Sequence, residues 1–385
     1  MQSHPRTGHL IQQQSGPHGY SAFIPTALPP VPPLDFSGKL GGLLERASAS
    51  LGRLDGISRS FDPDRLLYMY VRKEAVLSSQ IEGTQSTLAE LLEFENDEIP
   101  GLPVDDVSEV SRYVHALRYA VEQVVAGMPL SLRLIRETHA KLMADGRGSR
   151  QAPGEFRRTQ NWIGGTRPGT ARFVPPPPHE LMRVLGDLEL FINQGDATPI
   201  VKAGLAHAQF ETIHPFLDGN GRIGRLLITM ILCAEGALVQ PFLYLSLYFK
   251  QYRADYYDAL QRVRTHGDWE GWMAFYLEGV DWTARQAILT TTDLLELFKT
   301  DRARVDAAAR GAGTMRVYDV LQQKVIVSIK RVAESAGVAV PTATRAMKLL
   351  QSLGIATETT GGNYGKLFLY ARQLEIINRG EIDGD

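Results

Sequence analysis

The sequence predicts a mainly α protein with one β-hairpin inserted between helices and a small helix-and-hairpin unit towards the C-terminus. Three observations predict it. Apolar residues recur at helical spacing from near Gly38 almost to Thr300. The pattern breaks once, from Pro153 to Pro178 (PGEFRRTQNWIGGTRPGTARFVPPPP), where Gly-Gly and Pro-Gly turn signals lie between short β-type runs. After Thr300 the stretch DRARVDAAARGAGT, rich in Ala, Gly and Arg, precedes a second, compact pattern.

In chain order, residues 1–35 are rich in His, Gln, Gly and Pro and end in PTALPPVPPL, which predicts a tail or strap over the surface. Asp62-Pro63-Asp64 combines an N-cap, a first-turn proline and a first-turn acid. Leu66, Leu67, Tyr70, Val71 and Leu77 then carry a helix to Ile81, where Gly83 interrupts it. Further helices are expected over about 84–95, 106–126, 130–144, 179–194, 198–213, 221–237, 252–265 and 268–300. Residues 300–313 read as a linker. Beyond it come a helix over about 314–323, a second from Ser328, a turn at Gly337, a third from Pro341 to Gly354, and a hairpin over Thr357–Tyr370. That order resembles a winged helix-turn-helix domain over 314–375.

Composition bounds the function without identifying it. The 385 residues are 44% apolar and 22% charged, with a net charge of −2, so nothing in the whole-chain balance argues for nucleic acid or an anionic surface as partner. A single cysteine, Cys233, leaves no disulfide framework or cysteine-rich metal site and fits a reducing compartment. The first residues lack a signal-peptide pattern, and the apolar runs Leu226–Ala234 and Pro241–Phe249 are far shorter than the roughly 20 residues of a membrane span. A soluble, cytoplasmic protein without membrane attachment is expected.

Chemistry concentrates in His214–Arg225, HPFLDGNGRIGR, between two apolar helices. Gly219-Asn220-Gly221 at a helix start can present successive backbone N–H groups as an anion nest, reinforced by the helix dipole. Arg222 and Arg225, three residues apart, share a helix face and can meet one anion. Asp218 is a hard oxygen ligand suited to Mg²⁺ beside phosphates. His214 titrates near neutrality and can take a proton from a hydroxyl. Phe216 is expected to point inward and fix the loop. Together these residues predict a nucleotide–Mg²⁺ site with a base beside it.

HPFLDGNGRIGR resembles the HPFx[DE]GNGRxxR signature of the Fic (filamentation induced by cyclic AMP) family at every fixed position. RTQNWIGG…FVPPPP looks like that family's flap hairpin, so the resemblance implies a Fic-type helical core over 106–299. It also implies transfer of AMP from ATP to a Ser, Thr or Tyr hydroxyl of a target protein, or of the chain itself, with release of pyrophosphate. His214 is then the base and Asp218 the Mg²⁺ ligand. Gly219, Asn220, Gly221, Ile223 and Gly224 line the phosphates, and Arg222 and Arg225 take the β/γ end. Gly221 stands where kinase-like members carry Lys, which favours nucleotidyl transfer. Leu247 and Tyr257 are candidates for the adenine pocket. Phe173 and Val174 are candidate flap contacts with a target, whose extended segment could pair with the flap backbone.

Ser78-Ser79-Gln80-Ile81-Glu82-Gly83 resembles the family's inhibitory motif [ST]xxxE[GN], on a helix expected over 63–83 within an N-terminal region of 1–105. The resemblance implies that Glu82 pairs with Arg225 and withholds it from the γ-phosphate. Some relatives with this arrangement also remove AMP. Residues 301–385 hold 12 Lys+Arg and 9 Asp+Glu, a surplus of three, and the third helix of the C-terminal unit carries only Arg345 and Lys348. The sequence therefore leaves open DNA binding by this unit, a homodimer, a transcription regulator with a nucleotide-sensing core, and a metal-dependent hydrolase using His214 and Asp218. His207 is expected to pack in the core.

Overall fold

The structure is a computed structural model that describes residues 6–13, 19–59, 63–96, 104–145, 149–309, 311–359 and 366–380. Asp62 of the expected helix cap and the glycine-rich tip of the C-terminal hairpin lie outside the described residues.

Two strands open the chain, β1 (Gly8–Gln12) and β2 (Ser21–Pro25), paired antiparallel with His9 opposite Ile24. The surface strap expected here is therefore corrected. Ala22, Phe23 and Ile24 are buried, because the short run SAFI has enough apolar surface to dock beside the flap. Helices α1 (Lys39–Arg59), α2 (Pro63–Ile81), α3 (Leu88–Phe94), α4 (Val104–Val125) and α5 (Leu132–Leu142) follow. Thr87 and Glu90 close a reciprocal capping box on α3, and the Ser131 hydroxyl caps α5.

The inserted segment is less regular than a hairpin. Ile163 and Phe173 exchange both backbone bonds (2.8 and 3.1 Å) in an isolated bridge, with one short 3₁₀ turn at Pro168–Thr170 between them. The Phe23 N–H of β2 donates to the Val174 carbonyl (2.9 Å), so the outer side of the flap is engaged by the chain's own N-terminal region.

Helices α6 (Pro178–Gln194) and α7 (Pro199–Ile213) each start on proline, whose missing N–H costs nothing in a first turn. α8 (Asn220–Ala234) lies against α7, and both are buried on nearly every face, which places them at the centre of the helical assembly. α9 (Ser246–Gln251), α10 (Arg253–His266) and the 40-residue α11 (Trp269–Ala308) complete it, with α1 packed along α11.

The linker expected over 300–313 is largely helix, since α11 runs on to Ala308. Alanine is the best helix former, and the extension is anchored: Val305 and Asp301 are buried and the Tyr370 hydroxyl donates to Asp301 (2.7 Å). The C-terminal unit has α12 (Ala312–Lys324), β3 (Ile326–Ser328), α13 (Ile329–Ala336), α14 (Val340–Ser352), β4 (Thr357–Glu358), β5 (Leu367–Leu369) and α15 (Ala371–Asn378). The antiparallel strand order β3-β5-β4 and the αL residue Gly337 between α13 and α14 agree with the expected helix-turn-helix-and-hairpin order. α15 lies beyond that expectation. Among the described residues no helix is long and apolar enough to cross a membrane.

Candidate active site

The loop from His214 to Gly219 joins α7 to α8 and is held from three sides. His214 closes α7 in the left-handed region (φ 50°, ψ 60°), with its N–H on Phe210 O (2.8 Å). A non-glycine residue there stores about 1–3 kcal/mol and persists only where its surroundings over-determine it. Here they do. Arg157 Nε (2.9 Å) and Asn161 Nδ2 (3.1 Å) both donate to the His214 carbonyl, and Arg157 N–H donates to Pro215 O (2.9 Å). Asn161 also donates to Phe216 O (2.9 Å).

Asn220 ties the loop internally. Its Nδ2 donates to Phe216 O and its Oδ1 accepts from Phe216 N, both at 2.8 Å. The expectation that its side chain holds phosphate is therefore corrected, because both ends of the amide are already used inside a buried turn. Asn220→Ala is expected to destabilise the protein by about 2 kcal/mol, one net hydrogen bond plus an unsatisfied buried partner, read as a lower urea midpoint.

His139 of α5 braces the loop from beneath. Its Nδ1 accepts the Gly154 N–H (2.8 Å), so Nε2 carries the proton and donates to Asp218 O (3.0 Å). The ring stacks on Phe216 with centroids 3.7 Å apart, and burial pushes its pKa down to about 4. Phe216 is fully buried, as expected.

His214 is only partly exposed. Burial, then the charges of Arg264 and Arg157, push its pKa down to about 3, so the imidazole is neutral at pH 7 and able to accept a proton. Its Nδ1 is buried without a hydrogen-bond partner, and Glu211 Oε2 lies 3.9 Å away. His207 packs in the core as expected, with Nδ1 on Gly224 O (2.7 Å) and Nε2 on the Tyr256 hydroxyl (2.9 Å).

Gly219 (φ 76°) makes the turn into α8, whose N-terminus carries no side-chain cap. The N–H groups of Asn220, Gly221 and Arg222 are thus the first-turn donors that a helix leaves unsatisfied, whereas the Ile223 N–H is spent on Gly219 O (3.0 Å). Asp218 sits at this mouth with its side chain 45% exposed, and its Oδ1 accepts the Gly219 N–H (2.6 Å). One exposed carboxylate at an anion-attracting helix end suits an Mg²⁺ that takes its other ligands from phosphates and water. Among the described residues no group of three or more His, Cys, Asp or Glu could cage a metal unaided.

The two arginines reach different carboxylates. Arg225, its side chain only 2% exposed, donates from Nη2 to Glu82 Oε1 (2.7 Å) and to Ser78 O (2.9 Å), and from Nε to Ser78 Oγ (2.8 Å). Burial works against the Glu82 carboxylate, but attraction to Arg225 outweighs it and holds the pKa below the usual value. The pair is therefore intact at neutral pH and is lost only as pH falls through that depressed value. Gly83 (φ 104°) ends α2 just beyond. A Cβ at Gly221 would overlap Glu82 Oε1, so this glycine also makes room for the carboxylate.

Arg222 instead pairs with Glu109 of α4 and lies 3.8 Å from Asp218. The expectation that both arginines converge on one anion is corrected for this state, since two acids from different helices draw them apart.

Three further expectations change. Leu247 is buried in the core and does not reach the site surface. Phe173 and Val174 are buried rather than presented to a target: Phe173 packs against Phe23 (5.7 Å between centroids) and beneath the Arg264 guanidinium (4.3 Å). The flap closes on the chain's own N-terminal strand because that strand supplies both an apolar partner and a backbone donor. Tyr257 remains partly exposed beside Tyr256, and its hydroxyl feels the charges of Glu82 and Arg225, which places it at the site. His139, Arg157, Asn161, Glu109 and Glu211 were not singled out from sequence. Arg157 and Asn161 stand in the FRRTQN run beside the flap, the only local signal that could have found them.

Two family models match the chain, the Fic/DOC family N-terminal model over residues 42–122 and the Fic/DOC family model over residues 129–232. The protein adenylyltransferase Fic of Drosophila grimshawi is 31% identical over 222 residues, covering 56% of this chain and 42% of that protein. That of Drosophila ananassae is 30% identical, covering 56% and 41%. The chain thus spans less than half the length of these relatives. A solved structure of a Fic family protein from Desulfovibrio desulfuricans G20 superposes with a TM-score of 0.58 at 20% identity, over 88% of this chain and 97% of that one. A Fic domain-containing signalling protein from Bacteroides thetaiotaomicron gives 0.50 at 18% identity, over 66% and 95%. With the motif loop inside the second matched region and the end of α2 inside the first, the chain carries both regions of the Fic/DOC family, over residues 42–122 and 129–232.

Proposed function

We propose that the protein is an autoinhibited protein adenylyltransferase, moving AMP from ATP to a hydroxyl side chain of a target protein. The observation that carries this reading is the juxtaposition of the neutral, partly exposed His214 with the uncapped N-terminus of α8, across a loop fixed by Asn220, Arg157 and His139. The name of the relatives, protein adenylyltransferase, supports the same reaction.

In this reading the target hydroxyl oxygen attacks the α-phosphorus of ATP while its proton passes to His214. A new P–O bond forms as the bond to the leaving pyrophosphate breaks. The first-turn N–H groups of α8 and the Arg225 guanidinium are aimed at the developing negative charge, and a fixed array of this kind needs no reorganisation during reaction. Asp218 is the residue that would hold an Mg²⁺, which when bound neutralises phosphate charge. In this reading Glu82, paired with Arg225, competes with the nucleotide for that arginine.

The test is to incubate Glu82→Gly protein with ATP and Mg²⁺ and to analyse what is released. Pyrophosphate in step with protein-bound AMP is expected. Orthophosphate without protein labelling would replace this reading with hydrolysis.

A further inference from the structure

We infer that Glu211 is a positioning residue for His214, a buried carboxylate that accepts the Nδ1 proton of the imidazole and leaves Nε2 to take the proton from the substrate hydroxyl. This inference rests on the transferase reading for its kinetic consequences, while its structural core stands apart from it.

Two polar atoms are left without partners where α7 ends. His214 Nδ1 and Glu211 Oε1 are both buried and make no hydrogen bond of ordinary geometry, the Glu211 backbone carbonyl being the other acceptor beside the imidazole. They belong to groups whose nearest charged atoms, Nδ1 and Oε2, are 3.9 Å apart. Buried polar groups are nearly always satisfied, so two orphans on neighbouring groups call for a reason. Catalytic hydrogen bonds are often long before substrate binds and tighten in the reactive complex. A closure of under about 1 Å would bring this pair within the ordinary hydrogen-bonding range.

The surroundings keep the carboxylate in place rather than satisfy it. The Glu211 backbone carbonyl accepts from Arg264 Nη2 (3.0 Å), which fixes this turn of α7. Gly224 of α8 faces the carboxylate, and a Cβ there would overlap Oε1. The motif glycine is thereby explained as space for Glu211. The charged and titratable groups facing Glu211 are Arg225 from α8, Glu82 just beyond α2, Arg264, Tyr256 and Tyr257 from α10, and His214 itself. Burial outweighs the two arginines and pushes the Glu211 pKa up to about 7.

The proton accounting is simple. The substrate proton goes to Nε2, and the Nδ1 proton is shared with the ionised Glu211 carboxylate, whose raised pKa of about 7 lets it draw that proton off the imidazolium. A carboxylate in this position fixes the ring tautomer and raises the basicity of the far nitrogen.

The test compares Glu82→Gly with Glu82→Gly/Glu211→Gln, the second change being isosteric. In protein labelled at histidine, ¹⁵N NMR above about pH 8, where Glu211 is ionised, is expected to show the His214 proton on Nδ1 in Glu82→Gly and a shift of that proton towards Nε2 in the double variant. In transfer assays kcat is expected to fall by at least about tenfold with KM for ATP little changed. The acid limb that follows Glu211 protonation should also vanish from the pH–rate profile. Glu211→Asp in the same background should recover part of the rate. An unchanged His214 tautomer, an unchanged kcat, or a loss shared equally by Asp and Gln with a lowered melting temperature would overturn the inference. If Glu82→Gly transfers no AMP at all, the transferase reading fails, and the imidazole tautomer still decides the role of Glu211.

Discussion

Glu82→Gly is expected to raise transfer of label from α-labelled ATP to protein by on the order of 10²-fold, the penalty typical of a reacting group held about 1 Å out of place. The expectation follows from three contacts. Arg225 is almost fully buried, its Nη2 is shared between Glu82 and Ser78 O, and its Nε is tied to Ser78 Oγ. The Nη2 and Nε donors of that guanidinium are thereby withheld from a phosphate. Removing the carboxylate leaves the Ser78 bonds intact, so Arg225 stays near its present place with one edge released. Because the Glu82 side chain is 35% exposed, water can take its place, and folding should survive the change. Filter binding or gel autoradiography of wild type and variant with a cell lysate reads the effect. Equal labelling in the two proteins would remove Glu82 as the restraint.

His214→Ala in the Glu82→Gly background is expected to lower transfer by about 10²–10⁴-fold, the usual contribution of a general base, with ATP affinity within a few-fold of the parent by calorimetry. Binding should persist because the α8 N–H groups and Arg225 are untouched. The left-handed backbone at this position is a complication for alanine, which tolerates φ near 50° poorly. His214→Asn is the better companion variant, since asparagine accepts that conformation while offering no base. Equal inactivity of both with retained ATP binding would identify the imidazole. Parental turnover in either would exclude it.

The parts of the fold that were legible in the sequence share one property: their signals are contiguous. Twelve consecutive residues encode the α7–loop–α8 turn, and six encode the end of α2, so the Glu82–Arg225 pair could be expected across a separation of 143 positions. Glu109 offered no such signal, since an acid on a polar helix face looks the same whether it meets solvent or Arg222. His139 was equally silent. Its role comes from a ring stacked on Phe216 and a carbonyl 79 positions away, and neither has a local pattern. Asn220 was found but misdirected, because residue type shows that an amide can bond and not which way it turns. The region around 300–308 read as linker because its residues are small, yet alanine is also the strongest helix former and burial of Val305 decides the matter. Phe173 and Val174 were misplaced for a different reason. Their environment depends on β2, and the His- and Gln-rich stretch around it hid a strand.

The middle of α2 is secured to three separate parts of the molecule. Tyr70 donates to Ala287 O (3.0 Å) on α11, Arg72 grips Glu95 through two bonds (2.8 and 2.9 Å), and Lys73 donates to the Ile377 carbonyl of α15. Withdrawing the whole helix would break all of these together, at about 0.5–1.5 kcal/mol net for each neutral bond and more for the charged ones. Unwinding only its final turn gives up the bonds to Arg225, the Gln80 bond to Ser86 O (2.8 Å) and the burial of Ile81, but leaves the contacts of Tyr70, Arg72 and Lys73 in place. In the proposed autoinhibited reading, the restraint is therefore a spring catch rather than a sliding bolt. Whatever releases it needs to lift one terminal turn, while the shaft stays fixed to the rest of the protein.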